Sequence, residues 1–243
     1  MIKTAVVLVA GKGTRLRSVT NNEIPKPFLP INGISLIERS IEKLTDCGIE
    51  KIILVTGHLD HFFEGLKNKY SNIITVKNEE FATTGNMKSF YTAKELVGKE
   101  DVLLIEGDLI YEKLGIVTLL NSEKKDAVLL SEDKYYGDDY YYELIGDKIG
   151  KMSNDREDFN GKYAELTGIN KISNGLYKEM CEYSEKSSNK KIGYEYCLEG
   201  LCKVREINYE RVEGVIWAEI DDENQLNQVI ESVYPKLLKK GER

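Results

Sequence analysis

The sequence predicts an α/β fold: a doubly wound, mainly parallel sheet, with a smaller lid-like part in the second half. Three observations predict it. Apolar runs of strand length, such as Val6-Val7-Leu8-Val9 and Ile52-Ile53-Leu54-Val55, alternate with helically spaced segments through the first half. The first run opens into Gly11-Lys12-Gly13-Thr14-Arg15, a glycine-rich, basic loop. After residue 127 the rhythm changes to short runs rich in tyrosine and acid.

Each element has its own signal. The Val6–Val9 run reads as a strand buried on both faces. Leu36, Ile37, Ser40, Ile41 and Leu44 give helical spacing from Ser35 to Cys47, and Gly48 stops the helix. Lys51 to Thr56 is the second strand. Phe62, Phe63 and Leu66 supply the apolar side of a helix over Asp60 to Tyr70. Asn72 to Val76 is the third strand, Asn86 to Val97 the third helix, and Asp101 to Ile105 the fourth strand. Strands alternating with helices imply a parallel sheet with its sites at the carboxyl ends of the strands.

In the second half, Ala127 to Ser131 and Ala164 to Ile172 read as strands. Gly146-Asp147-Lys148 and Gly150-Lys151 read as turns between short strands. Helices are expected over Ser173–Ser184 and Tyr194–Cys202. Val215 to Ile220 returns to strand, and Glu223 to Lys239 is a terminal helix. Ser184 to Lys191 is the most solvated stretch. There is no internal repeat and no linker, so residues 1–243 read as one domain.

The totals narrow the function. A chain of 243 residues with 41% hydrophobic content can bury a sizeable core. Its 34 basic and 41 acidic residues give a net charge of −7, which disfavours nonspecific binding to nucleic acid or an anionic membrane. Cys47, Cys181, Cys197 and Cys202 have no CxxC spacing, and His58 and His61 are the only histidines, so a zinc site is not expected. Met1-Ile2-Lys3-Thr4 leads into a strand without the pattern of a signal peptide, and no apolar run reaches membrane-spanning length. The expectation is a reduced, cytoplasmic protein.

A strand feeding a glycine-rich basic loop suits phosphate. Glycines let the backbone approach an anion, successive N–H groups cradle it, and Lys12, Arg15, Arg17 and Lys26 add cationic donors. Two common phosphate patterns fail. GxGxxG would need glycine where Leu16 stands, and the P-loop needs Ser or Thr where Gly13 follows Gly11-Lys12. Val9, Ala10, Gly11, Gly13, Thr14, Arg15, Leu16 and Thr20, followed by Pro25, Lys26 and Pro27, instead resemble the signature of the sugar-phosphate and alcohol-phosphate nucleotidyltransferases. Ser18 and Phe28 depart from it, where proline and leucine are usual. The resemblance is specific to about Leu29, fair through Asp108 and thin between Lys113 and Tyr194. It implies a Rossmann-like sheet whose second half binds the acceptor.

A carboxylate ending an apolar strand beside phosphates is a natural magnesium ligand, because magnesium prefers hard oxygens. Gly107-Asp108 matches the family's first metal position, and Glu219-Ile220-Asp221 its second, with Asp222 where Thr or Ser is usual. Asp221 therefore reads as a ligand in preference to a cap, and Asp222 as a cap in preference to a ligand. Arg15 and Lys26 would be the electrostatic catalysts, since displacing pyrophosphate from an α-phosphorus builds negative charge. An anionic acceptor oxygen needs no general base, so His58 and His61 are left as loop residues. The resemblance assigns Val9, Ala10, Gly11, Lys12, Gly13, Thr14 and Gly107 to the nucleotide. Residues 78–89 look like the base-contacting region of small cytidylyltransferases, with Gly85 and Ser89 reading the base, while Thr84 or Asn86 could equally cap a helix.

The phosphocholine and 2-aminoethylphosphonate cytidylyltransferases look most similar. They imply Mg2+, CTP and a small amine-bearing phosphate or phosphonate acceptor. Tyr135, Tyr136, Tyr140, Tyr141 and Tyr142 beside Asp138 and Asp139, and Tyr194-Glu195-Tyr196 farther on, supply aromatic faces and carboxylates for an ammonium. Tyr140, Asp139, Tyr194 and Glu195 are the acceptor candidates, Glu195 foremost. Alternating tyrosines are also what a strand with one buried face requires. A sugar-1-phosphate nucleotidyltransferase is the alternative enzyme, and a non-catalytic subunit the alternative outside catalysis. A homodimer is compatible with the sequence.

Overall fold

The apolar runs of the first half do form the parallel frame. The structure is a computed structural model that describes residues 2–132 and 140–242. Tyr135, Tyr136, Asp138 and Asp139 lie outside the described residues. In chain order the strands are β1 (Thr4–Leu8), β2 (Pro30–Ile31), β3 (Ile34–Ser35), β4 (Lys51–Thr56), β5 (Ile73–Lys77), β6 (Val102–Glu106) and β7 (Leu109–Tyr111). Then come β8 (Ala127–Ser131), β9 (Tyr141–Ile145), β10 (Lys148–Ser153), β11 (Tyr163–Ile172), β12 (Asn208–Arg211) and β13 (Trp217–Glu219). The helices are α1 (Arg17–Thr20), α2 (Leu36–Asp46), α3 (His61–Leu66), α4 (Asn86–Thr92) and α5 (Lys94–Val97). They continue as α6 (Leu114–Asn121), α7 (Asn174–Lys186), α8 (Tyr194–Cys202), α9 (Glu223–Gln228) and α10 (Tyr234–Lys239).

Among the described residues nine strands form one sheet, in the order β5-β4-β1-β6-β11-β8-β12-β10-β9. The first four are parallel neighbours. Both faces of this part are covered, which explains the continuous apolar runs. Val6, Ile53 and Leu104 join one core cluster, while Val7, Leu54 and Ile105 join another on the opposite face. Alternate residues of each strand point to opposite sides. The register sets Leu8 level with Val55 and with Glu106, so the loop after β1 and the acids after β6 leave the sheet together.

The second half is largely antiparallel. β11 runs against both β6 and β8. It also pairs with β9, and the pairings β11–β8, β8–β12, β12–β10, β10–β9 and β9–β11 close a small ring of strands. Gly146-Asp147 is the expected turn between β9 and β10. Gly150-Lys151 is not a turn. It lies within β10, where the register with β9 shifts between Ile149 and Met152, so the surplus is absorbed as a bulge.

Helices follow their sequence signals with local exceptions. Ser35 and Glu38 form a reciprocal capping box at the start of α2, which buries Leu36, Ile37, Ile41 and Leu44. The predicted helix over Asp60–Tyr70 shortens to α3, because Lys67-Asn68-Lys69 offers no apolar side. The predicted helix over Asn86–Val97 divides at Ala93, whose N–H turns to the Phe90 carbonyl. The terminal helix holds a π turn over Val229–Val233, just before Pro235. Proline lacks the N–H and its ring crowds the carbonyl four residues back, so the turn widens. No helix among the described residues is long and apolar enough to cross a membrane.

A third apolar cluster fixes the functional loop. Leu16, wholly buried, packs with Ile110, Ile220, Leu226 and Val229. The glycine-rich segment is thereby pinned against the C-terminal helices.

Candidate active site

Val9 extends the β1 ladder by one bond, its N–H donating to the Val55 carbonyl at 3.0 Å. The chain then leaves the sheet. Gly13 takes a left-handed φ of 56°, which a side chain would resist, and turns the chain into the short 3-10 helix Thr14–Leu16. Buried Leu16 sets the height of Arg15. Lys26 opens a second 3-10 turn, Lys26–Phe28, between Pro25 and Pro27, and is 8% exposed.

The two cations converge on two aspartates. The Lys26 ammonium lies 2.6 Å from Asp108 Oδ2 and 2.6 Å from Asp221 Oδ1. Arg15 Nη2 lies 2.7 Å from Asp221 Oδ2. The ribbon β7–β13 brings the aspartates together: Leu109 faces Glu219, and the Ile220 N–H donates to the Asp108 carbonyl. Asp222 instead caps α9, its carboxylate accepting the Gln225 N–H at 2.9 Å. Asp222→Ala should therefore cost about 0.5–2 kcal/mol in denaturant unfolding and leave turnover within about twofold.

Two acids that the sequence reading did not name as ligands complete the group, although Glu219 stands in its second metal motif. Carboxylate oxygens of Glu106, Asp108 and Glu219 lie within 4.8 Å of one another. Their spacing is the signal: Glu106-Gly107-Asp108 and Glu219-Ile220-Asp221 place two carboxylates on one side of an extended segment. Asp108 Oδ1 is buried with no hydrogen-bond partner among the described residues. Burial pushes Glu106 up to about 8, with the charges of Glu195 and Asp108 adding to it. Glu219 is pushed well up by burial and then by Asp108, Glu106 and Asp221. Burial opposes the charge of Lys26, yet Asp108 and Asp221 outweigh it and hold the ammonium above its usual range. Asp221 feels burial as well, but Lys26 and Arg15 keep its carboxylate below the ordinary value. Four crowded carboxylates against two cations are a donor set that suits a hard divalent cation.

Three compartments share this centre. One, of about 230 Å³, is lined by Val9, Gly11, Gly13, Thr14, Arg15, Lys26, Gly107, Asp108 and Asp221. Gly107 is required by its backbone: a Cβ there would meet the Leu8 carbonyl oxygen at 2.6 Å. A second, of about 250 Å³, runs past Ala10, Gly11, Phe81, Gly85 and Ser89. Buried Asn78 donates to Ser89 Oγ at 3.1 Å and fixes its rotamer. The third, of about 580 Å³, holds Tyr140, Asn154, Thr167, Glu195, Glu106 and Glu219, and shares Arg15 and Asp221 with the first.

The predicted residues thus gather, with exceptions. Lys12 is exposed, its ammonium 6.0 Å from the Phe81 ring, and lines none of the three compartments. Asp139 lies outside the described residues. Tyr194 does not face the acceptor space. It is wholly buried, donates to Glu106 Oε1 at 2.5 Å and accepts from Asn170 at 3.3 Å, so it holds Glu106 from behind. Glu195 does line the third compartment, 5% exposed, accepting from Asn86 Nδ2 at 2.7 Å. Burial pushes its carboxyl above the ordinary range, against the lowering effect of that bond. Neither Thr84 nor Asn86 caps α4, whose cap position is Gly85. Asn86 instead bridges to α8, accepting the Tyr194 N–H at 2.7 Å. Tyr141 and Tyr142 are strand residues with buried rings. His58 and His61 line none of the three compartments.

An anion-sized loop, fixed cations and a carboxylate cluster at strand ends form a centre suited to nucleotidyl chemistry. Over 106 residues the chain is 33% identical to the 2-aminoethylphosphonate cytidylyltransferase of Lancefieldella rimae, covering 44% of this chain and 43% of that one. Over 156 residues it is 32% identical to the choline-phosphate cytidylyltransferase of Streptococcus pneumoniae, covering 61% and 66%. These matches span 43% and 66% of the relatives' own length, less than two thirds in each case. In three dimensions the fold is similar to the inositol-1-phosphate CTP transferase of T. maritima, with a TM-score of 0.83, 23% identity and coverage of 97% and 96%. It is likewise similar to the CTP:phosphocholine cytidylyltransferase of Streptococcus pneumoniae, at 0.79, 22% identity and coverage of 95% and 99%. Residues 5–142 match the MobA-like NTP transferase domain, more than half of the sequence, and the chain belongs to that family.

Proposed function

We propose that the chain is a Mg2+-dependent cytidylyltransferase that transfers CMP from CTP to a small amine-bearing phosphonate or phosphate and releases pyrophosphate. One observation carries this: Arg15 and Lys26 converge on Asp108 and Asp221 at the mouth of the glycine loop, beside a larger acidic compartment. The first compartment takes the triphosphate. The second takes the base, with Gly85, Ser89 and the chain at Ala10 around it. The relatives named as cytidylyltransferases support cytosine.

An acceptor oxygen attacks the α-phosphorus, a new P–O bond forms, and the bond to the bridging oxygen of pyrophosphate breaks. The attacking phosphonate or phosphate oxygen is already anionic, so no proton has to leave it. Arg15 and Lys26 meet the charge that builds on the transferring group and the leaving group. Asp108, with Glu106, Glu219 and Asp221 around it, would hold the metal, which would supply further charge neutralisation there. Arg15→Ala should lower turnover by about 100-fold at saturating CTP, with a smaller change in CTP binding.

The third compartment supports an amine on the acceptor. Apart from the acids placed around the metal, its described lining carries the Glu195 carboxyl and a single aromatic ring, Tyr140, T-shaped to Tyr196 with ring centroids 5.8 Å apart. Carboxylates pair with and accept hydrogen bonds from a primary ammonium, whereas a quaternary one is better met by several aromatic faces. This favours 2-aminoethylphosphonate over phosphocholine. The test is kcat/KM with CTP for 2-aminoethylphosphonate, phosphocholine, phosphoethanolamine and glucose 1-phosphate. The expected order puts the primary amines first, and preference for the sugar phosphate overturns the reading. Glu195→Gln should raise the KM of the amine acceptor by about 10- to 100-fold, as loss of a hydrogen bond to a charged group implies.

A further inference from the structure

A cavity of about 600 Å³ lies between α2, the start of α6 and the segment after α10, and shares no lining residue with the three compartments of the active site. Its walls carry four cations, Arg39, Lys43, Lys113 and Lys240. Arg39 and Lys43 stand one helical turn apart on α2, 3% and 8% exposed. Arg39 stacks on the Tyr234 ring at 4.8 Å and gives Nη2 to the Ile31 carbonyl. Its Nε and Nη1 have no hydrogen-bond partner among the described residues. Neither idle donor is reached by solvent, which is unusual for a guanidinium beside a cavity, since its five N–H groups normally find acceptors.

One anion already sits there. Glu242 places its carboxylate on the Lys113 N–H, at 2.8 and 3.0 Å from its two oxygens, and accepts a bond from the Lys43 ammonium. Burial lowers the Lys43 amine, and Glu242 counters that. The remaining cavity acids are engaged: Glu42 accepts from Tyr70, and Asp46, largely exposed, pairs with the Lys113 ammonium at 3.5 Å, while Lys240 pairs with buried Glu112 at 2.7 Å. A carboxylate brings one charge and two oxygens to a place built from three kinds of cationic and N–H donor. A phosphate dianion brings nearly two charges and three strong acceptors.

We propose that this cavity is a second anion site, selective for a phosphate dianion, free or as a monoester, and that the Glu242 side chain is its internal occupant until the ligand displaces it. The site is wired to the catalytic centre. Lys43 also donates to the Tyr111 carbonyl, the last residue of β7. Asp108 precedes the first residue of that strand, and Lys113 follows its last by two. β7 and its partner β13 therefore carry the catalytic acids at one end and the second anion site at the other, about 15 Å apart along the extended chain.

The test uses crystals of the full chain soaked in sodium tungstate, a phosphate mimic seen by its anomalous signal. The glycine loop serves as the internal control for binding. Glu242→Gln should raise tungstate occupancy in the cavity several-fold, and adding Lys113→Ala, which keeps the main-chain N–H but removes a half-exposed wall ammonium, should reduce it again in part. Titration calorimetry gives the solution counterpart, with orthophosphate and glycerol 3-phosphate as separate arms. Glu242→Gln should tighten binding of one or both by about tenfold relative to the parent chain, and the arm that responds identifies a free ion or a monoester as the natural occupant. Tungstate that fills the loop but not the cavity of Glu242→Gln overturns the proposal. So does calorimetry in which neither ligand distinguishes Glu242→Gln from the parent.

Discussion

Lys26→Met should lower turnover by about 100- to 1,000-fold while tightening the binding of a divalent cation. The two effects have one cause. The Lys26 ammonium touches a carboxylate oxygen of both Asp108 and Asp221, and its burial strengthens both contacts. It is therefore at once the fixed positive charge of the centre and the competitor of any metal that the same oxygens would hold. Removing one partner of a buried ion group strands the others, at about 3–5 kcal/mol. The variant should consequently be less stable without metal and recover when Mg2+ is added, since ligand binding to the folded state alone is stabilising. Steady-state kcat at saturating substrates, together with melting temperature against Mg2+ concentration, reads both quantities. Near-normal turnover would remove Lys26 from the chemistry, and unchanged metal affinity would remove the competition.

Residues with a local reason for their position were the legible ones. The parallel strands were visible because burial on both faces writes an unbroken apolar run, as in Val6–Val9. The helix over Leu36–Asp46 was visible because its cap, its spacing and its terminating Gly48 are all local. The loop was legible from its glycines and cations and Asp108 from its strand-end placement, while Lys26 was read through the resemblance carried by Pro25-Lys26-Pro27. What stayed hidden depends on pairing across distance. The ring of strands made by β8, β9, β10, β11 and β12 follows from which edges meet, and short mixed-polarity runs such as Tyr141–Ile145 do not encode their partners. Tyr194 reads as an aromatic face for a ligand until the fold turns it inward onto Glu106. Asn86 reads as a cap until α8 arrives beside it and offers Glu195 and the Tyr194 N–H. Glu106 and Glu219 meet when β13 pairs with β7, the strand that follows Glu106 and Asp108 in the chain, a long-range pairing that their local spacing does not announce.

Asp108→Asn should abolish metal-dependent turnover, by about 1,000-fold or more, with little change in stability. Asparagine matches aspartate in shape. The amide oxygen can keep the contact that Oδ2 makes with Lys26, so the packing around the ribbon survives. The other oxygen, Oδ1, is buried without a hydrogen-bond partner among the described residues, so converting it to an amide nitrogen breaks no bond present now. What is lost is one negative charge at the point where Glu106, Asp108 and Glu219 meet. That loss also relieves Glu106 and Glu219, both raised in part by the Asp108 charge. The variant should therefore melt within a few degrees of the parent, at or above its temperature without metal, and should lose the rise in melting temperature expected of the parent with Mg2+ and CTP together. Asp221→Asn should also lower turnover, but it removes the partner of Arg15 as well as of Lys26, so its stability should fall further. Asp222→Asn, confined to a helix cap, should keep both turnover and the metal response. An active Asp108→Asn that still melts higher with Mg2+ and CTP would show that the metal is held elsewhere.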